Sequence, residues 1–196
     1  MVIAYHAIWS AYGFWLPNDP RGSWSTEVWA KNLRRFGPAT KTTARRSLAN
    51  RPHDPNLRME ARQSLNYPPV RFTRDQIDCI ADGFAEAVKK FSIDLYACAI
   101  LWDHVHIVAQ RHRETIEFLA RVLKSAATRN LTTYGIHPMA KFVDATGRAP
   151  TPWADGGWER YLNTPPEIVA VVKYVNDNPE KHGLPRQHWP FVTLHV

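Results

Sequence analysis

Three features of the chain predict an α+β fold, with helices packed on one face of an antiparallel sheet. Apolar, β-rich runs occupy residues 2–12, 93–102 and 104–110, with a further short one in GGWERYLN. Three segments, 73–90, 114–134 and 164–178, instead repeat their apolar residues at helical spacing. Strand, helix, two strands, helix, strand is also the order of a ferredoxin-like βαββαβ sandwich, here followed by one more helix.

The first strand gives way at GFWLPNDPRGSW, where Pro17, Asn18, Pro20 and Gly22 are turn formers. Residues 17–72 read as a basic, Pro-rich insertion within a single 1–196 domain, with short helices near 42–49 and 56–65. A connection of that length suggests function rather than an idle loop. Thr73 is a candidate N-cap with Gln76 three residues on, and Ile77, Ile80, Phe84 and Val88 follow at helical spacing. The next two β-rich runs are divided by little more than Asp103, so they form either a tight hairpin or one bent strand. In the second helix Ile116, Leu119, Val122, Leu123 and Ala126 share a side, and Gly135 is placed to cap its end. Residues 136–157 read as irregular. Thr164, Pro165, Pro166 and Glu167 then combine a threonine cap, prolines in the first turn and an early acid, opening a third helix that runs until Pro179.

Composition narrows the function classes. The chain has 196 residues, 44% of them hydrophobic, enough to bury a core. No run of 18 apolar residues occurs, and the first residues show neither a basic lead nor a cleavage site, so no membrane association and a cytoplasmic, nucleoid-associated location are expected. Cys79 and Cys98 sit in apolar contexts and are expected to be reduced core thiols. The net charge of +7 has one source: Lys31, Arg34, Arg35, Lys41, Arg45, Arg46 and Arg51 lie between Val28 and His53 with no acid among them. Removing these seven from 25 basic residues leaves 18, equal to the 18 acidic ones. A local block of this kind suits phosphate neutralisation, although a solvated loop carries such charge too.

Two constellations carry the chemistry. In Asp103-His104-Val105-His106 the histidines are two apart, so a regular strand sets both on one face, where they can hold one metal ion, and turns Asp103 to the other. His-x-His strands also occur in cupin-like and carbonic-anhydrase-like sites, and a strand histidine can simply be a satisfied core residue. His6 and His112 are candidate neighbours. On the third helix Ile168, Val171, Val172 and Val175 form the buried stripe, with Tyr174 and Asn178 at its border. There a tyrosine can act as nucleophile beside a metal-ligating amide, or be an ordinary amphipathic border residue. Because Pro179 disfavours helical geometry at Asn178, the last turn has no fixed shape.

The segment DHVHIVAQ resembles the His-hydrophobic-His motif of single-tyrosine HUH transposases of the insertion-sequence 200/605 type. YVNDNPEKHGLP is similar to the Tyr-x-x-x-Asn-Pro signature of their REP-associated tyrosine transposase relatives, and AYGFWLPNDPRGSW, ATKTTARRS and RPHD resemble one branch of that group. The resemblance spans nearly the whole chain, with the two motifs in the family's order. It implies that His104, His106 and Asn178 bind Mg²⁺ or Mn²⁺, and that Tyr174 cuts single-stranded DNA through a 5′-phosphotyrosine. The implied activity is metal-dependent DNA cleavage and strand transfer, in transposition or hairpin processing. The implied partner is single-stranded DNA, hairpin-forming in related proteins, bound by a monomer or homodimer. Candidate DNA contacts are the seven basic residues above, Arg121, Lys124 and Arg129 on the second helix, and Trp15, Trp24 and Trp29 as stacking platforms. The alternative is a domesticated, non-catalytic DNA-binding or regulatory protein on the same scaffold; a small-molecule metalloenzyme is a more distant one, disfavoured by the basic block.

Overall fold

A computed structural model describes residues 1–17, 19, 28, 31–37 and 54–193. Strands β1 (Ala4–Ser10), β2 (Leu95–Ile100), β3 (His104–Gln110) and β4 (Trp158–Leu162) form one antiparallel sheet in the order β2-β3-β1-β4. That order, with the two longest helices as crossovers, is the expected ferredoxin-like arrangement. The 93–110 region is a tight hairpin: Leu101 N–H donates to His104 O at 2.8 Å, leaving Trp102 and Asp103 in the turn.

Helices α2 (Arg74–Phe91) and α3 (Ile116–Thr133) cover one face of the sheet. Thr73 and Gln76 form the expected capping box, and Ser92, in the left-handed region at φ 54°, ends α2. Gly135 follows the end of α3 at φ 70°, as the sequence predicts. Ile77, Ile80 and Phe84 from α2 and Leu119 and Leu123 from α3 are fully buried, and the Trp9 ring of β1 meets that of Phe84 at 6.0 Å. Where the helices cross, a Cβ on Gly83 would stand 2.8 Å from the backbone Cα and N of Ala127. Gly83→Ala should therefore lower stability by on the order of 2 kcal/mol, because overpacking outweighs the ~1 kcal/mol gained in helix propensity. Urea unfolding of the variant measures this directly.

Helix α4 (Pro165–Asn176) lies against β2 and β3, and the ring contacts of Tyr174 place it on the face opposite α2 and α3, so the helices cover both faces and not the one expected from sequence. There Ala97 and Ala99, paired with Val108 and His106, keep the sheet surface low enough for a helix to approach. Thr164 caps α4, with prolines in its first turn. At Asp177 the helix breaks, and Asn178–Lys181 forms a separate turn, α5.

The outer edge of β2 is covered by the C-terminal segment. The Gln187 amide bonds both the N–H and the carbonyl of Ile100, at 2.9 and 2.7 Å, and Thr193 N–H donates to Leu95 O at 2.7 Å. An otherwise open strand is thereby closed off. Between β1 and α2, α1 (Pro55–Gln63) begins at the Asp54 cap and packs with a 3-10 turn, Lys31–Phe36, around Leu33, Phe36 and Ala61. The helix expected near 42–49 lies outside the described residues. Cys79 and Cys98 are free and buried. Among the described residues, no helix is long and apolar enough to cross a membrane.

Candidate active site

Alternation along β3 puts His104 and His106 on one face, opposite Ser10 and Ile8 of β1 in the ladder. Their ring centroids are 5.0 Å apart. His6, two residues before Ile8, reaches diagonally to His106: its Nε2 lies 3.2 Å from His106 Nδ1. Asp103 differs from the sequence expectation. Because it sits in the hairpin turn and not in the strand, alternation does not govern it, and its Oδ1 lies 2.7 Å from His104 Nδ1. Both Nδ1 atoms of the pair are thus engaged, which leaves both Nε2 atoms for a ligand. Metal-binding histidines are commonly held in this manner.

Burial suppresses charge here. The pKa of His106 falls well below 6.5, chiefly through burial and further through the neighbouring His104, His6 and His182. Burial, with the Arg160 guanidinium, pushes His6 down to about 4. At neutral pH both imidazoles therefore keep a lone pair. The consequence for stability has a definite sign. Unfolded, His6 takes its proton near the ordinary 6.5; folded, near 4. Between those values the unfolded chain binds more protons, so stability is full above pH 6.5 and falls as the pH drops toward 4. The His6 share of this loss is about 3 kcal/mol. Urea midpoints across this range should show the fall, and His6→Gln should flatten it.

Above the histidines, α4 presents Tyr174, whose ring centroid is 5.7 Å from that of His106 and 6.1 Å from that of His6. Its side is 46% exposed, open to a large substrate. Lys181 Nζ stands 5.2 Å from the Tyr174 ring centroid. Asn178 opens α5, one short step from Tyr174; it is buried, and its Nδ2 has no hydrogen-bond partner among the described residues.

Two residues absent from the sequence prediction join the cluster. The His182 ring lies 5.3 Å from that of His104, and the Phe14 ring stacks on His104 at 5.1 Å and 12°. Trp15, a predicted platform, meets Phe14 edge-on at 5.0 Å. His112 takes no part: it is bonded to Phe91 O and to the Glu114 N–H.

Arg121, Lys124 and Arg129 lie on α3, across the sheet from the histidines. Lys124 is tied to the Ala154 and Gly156 carbonyls at 3.3 and 2.9 Å, and burial brings its pKa down to about 8. Arg129 pairs with Glu86 at 3.1 Å, and Arg121 lies over the Phe118 ring. Lys31, Arg34 and Arg35 are exposed on the 3-10 turn Lys31–Phe36. Lys41, Arg45, Arg46, Arg51, Trp24 and Trp29 lie outside the described residues.

Among the described residues, no group of three or more His, Cys, Asp or Glu side chains is arranged to hold a metal. The donor chemistry of His104 and His106, with Nδ1 tied back on each and a buried amide at Asn178, nevertheless fits a divalent cation with mixed nitrogen and oxygen ligands.

No protein-family profile and no curated protein matches the sequence. Among solved structures, the chain is similar to a REP-associated tyrosine transposase bound to a REP hairpin, with a TM-score of 0.45 and 15% identity over 62% of this chain. That match spans 65% of the other protein's length, just under two thirds. It is also similar to a putative transposase from Deinococcus radiodurans R1, with a TM-score of 0.41 and 12% identity over 90% of this chain and 91% of the other. The structural neighbours of this chain thus include a REP-associated tyrosine transposase and a putative transposase.

Proposed function

We propose that the chain is a metal-dependent endonuclease and strand transferase acting on single-stranded, hairpin-forming DNA, with Tyr174 as nucleophile. The observation that carries this reading is the half-exposed Tyr174 ring over two buried, uncharged imidazoles, His6 and His106. The sequence resemblance in DHVHIVAQ and YVNDNPEKHGLP supports it independently.

In this reading Tyr174 Oη bonds to the scissile phosphorus as the bond from phosphorus to O3′ breaks. The phenolic proton passes to solvent and the departing 3′-oxygen takes one up, giving a 5′-phosphotyrosine and a free 3′-hydroxyl. Reversal with a different 3′-hydroxyl joins new ends without ATP, because the phosphodiester energy is kept in the covalent link. His104, His106 and Asn178 would hold Mg²⁺ or Mn²⁺, which when bound would supply charge neutralisation at the scissile phosphate. Asp103 orients His104 through the 2.7 Å contact. Lys181, beside the Tyr174 ring, offsets negative charge on the phenolic oxygen when it leaves in the rejoining step. Phe14 and Trp15 offer faces or edges for unpaired bases at the His104 side of the site.

The test is incubation of the full chain with end-labelled, hairpin-bearing single-stranded DNA and Mn²⁺, followed by a denaturing gel. A labelled protein-DNA adduct that chelator prevents is the expected result. Binding without any adduct across a broad substrate panel would instead support the non-catalytic DNA-binding alternative.

A further inference from the structure

We infer that His6 is a positioning residue for His106, holding that imidazole in the one tautomer whose Nε2 lone pair is free to face the site. The inference deepens the metal-dependent reading proposed above and rests on it for its functional meaning.

A neutral imidazole carries one N–H and one lone pair, so a hydrogen bond at one nitrogen decides the state of the other. His6 Nε2 and His106 Nδ1 are 3.2 Å apart, and the ring planes differ by 19°, close to the coplanar alignment that an N–H···N bond prefers. Two arrangements are available. If His106 Nδ1–H donates to His6 Nε2, His106 Nε2 keeps its lone pair and can ligate. If His6 Nε2–H donates instead, the His106 hydrogen moves to Nε2 and blocks it. Only the first is compatible with a cation at His106.

The fold keeps His6 in place for this task. It is 4% exposed, with the Trp158 ring edge-on at 5.4 Å and the Tyr174 ring edge-on at 6.1 Å. Its location on β1, one diagonal step from His106 across the β1–β3 ladder, fixes the distance by sheet register and not by a mobile loop. The two histidines are thus supported differently. Asp103 can only accept when ionised, which dictates the His104 tautomer, whereas the partner of His106 is itself an imidazole and can give or receive. His106 is accordingly the member of the pair whose tautomer depends on a neighbour's own protonation pattern.

The experiment combines ¹⁵N NMR of the histidine side chains in the full chain with Mn²⁺ titration calorimetry, for wild type, His6→Phe and His6→Gln. In metal-free wild type the His106 hydrogen is expected on Nδ1. In His6→Phe the Nε2–H form should grow and Mn²⁺ affinity should fall about 10- to 100-fold, the usual effect of losing such an outer partner. His6→Gln, whose carbonyl oxygen can accept from Nδ1–H, should recover part of both. A His106 hydrogen resident on Nε2 in wild type would overturn the inference, as would unchanged tautomer populations in both variants. Absence of Mn²⁺ binding by wild type would count against the metal-dependent reading, while the NMR populations would still decide the role of His6.

Discussion

Tyr174→Phe is expected to eliminate covalent DNA cleavage while leaving the protein as stable as before. The substitution removes one oxygen and keeps the ring that touches His6 and His106 and underlies Lys181. With Tyr174 46% exposed and its hydroxyl in no hydrogen bond among the described residues, the stability change should stay within about 0.5 kcal/mol. The cleavage rate should fall by on the order of 10³-fold or more, since no other group in the cluster can form the same ester. Rapid-quench measurement of adduct formation, with a parallel thermal melt, separates the two quantities. DNA affinity, measured by anisotropy, should be unchanged.

His106→Ala should have the second-largest effect, and a different signature. It removes an imidazole at the centre of the cluster, in contact with His6, His104 and Tyr174. Mn²⁺ affinity is expected to fall by more than about 100-fold, exceeding the loss from an outer partner alone. Stability should also drop by about 1–3 kcal/mol, because the buried His6 Nε2 loses its partner. Calorimetry with Mn²⁺ and urea unfolding report the two losses separately. Full cleavage by the variant, or by wild type in excess chelator, would remove the metal from the mechanism.

Local signals in the sequence carry much of this architecture. Thr73 with Gln76, and Thr164 with two prolines, mark helix starts that the structure contains, because capping depends on residues three or four apart. The common face of His104 and His106 follows from strand alternation in the same way. What local pattern does not carry is geometry set by turns and long-range register. Asp103 contacts His104 because a hairpin turn interrupts the alternation. His182 reaches His104 because α4 breaks at Asp177, so the helical step that relates Tyr174 to its neighbours no longer applies. His6 meets His106 across 100 residues of sequence, through the β1–β3 register alone. Lys124, polar and in an amphipathic helix, reads as solvent-facing, yet the carbonyls of Ala154 and Gly156 close over its ammonium. Phe14 meets the His104 ring by stacking, a long-range contact that local pattern does not carry.

The proposed reaction requires a tyrosine on α4 to become covalently bonded to DNA beside the histidine cluster. Its most direct test is mass spectrometry of the protease-digested adduct formed with single-stranded DNA and Mn²⁺. The expected product is a nucleotide attached through a 5′-phosphate to Tyr174 in the peptide containing YVNDNPEK. Attachment at another residue, or cleaved DNA with no attached peptide, would contradict it.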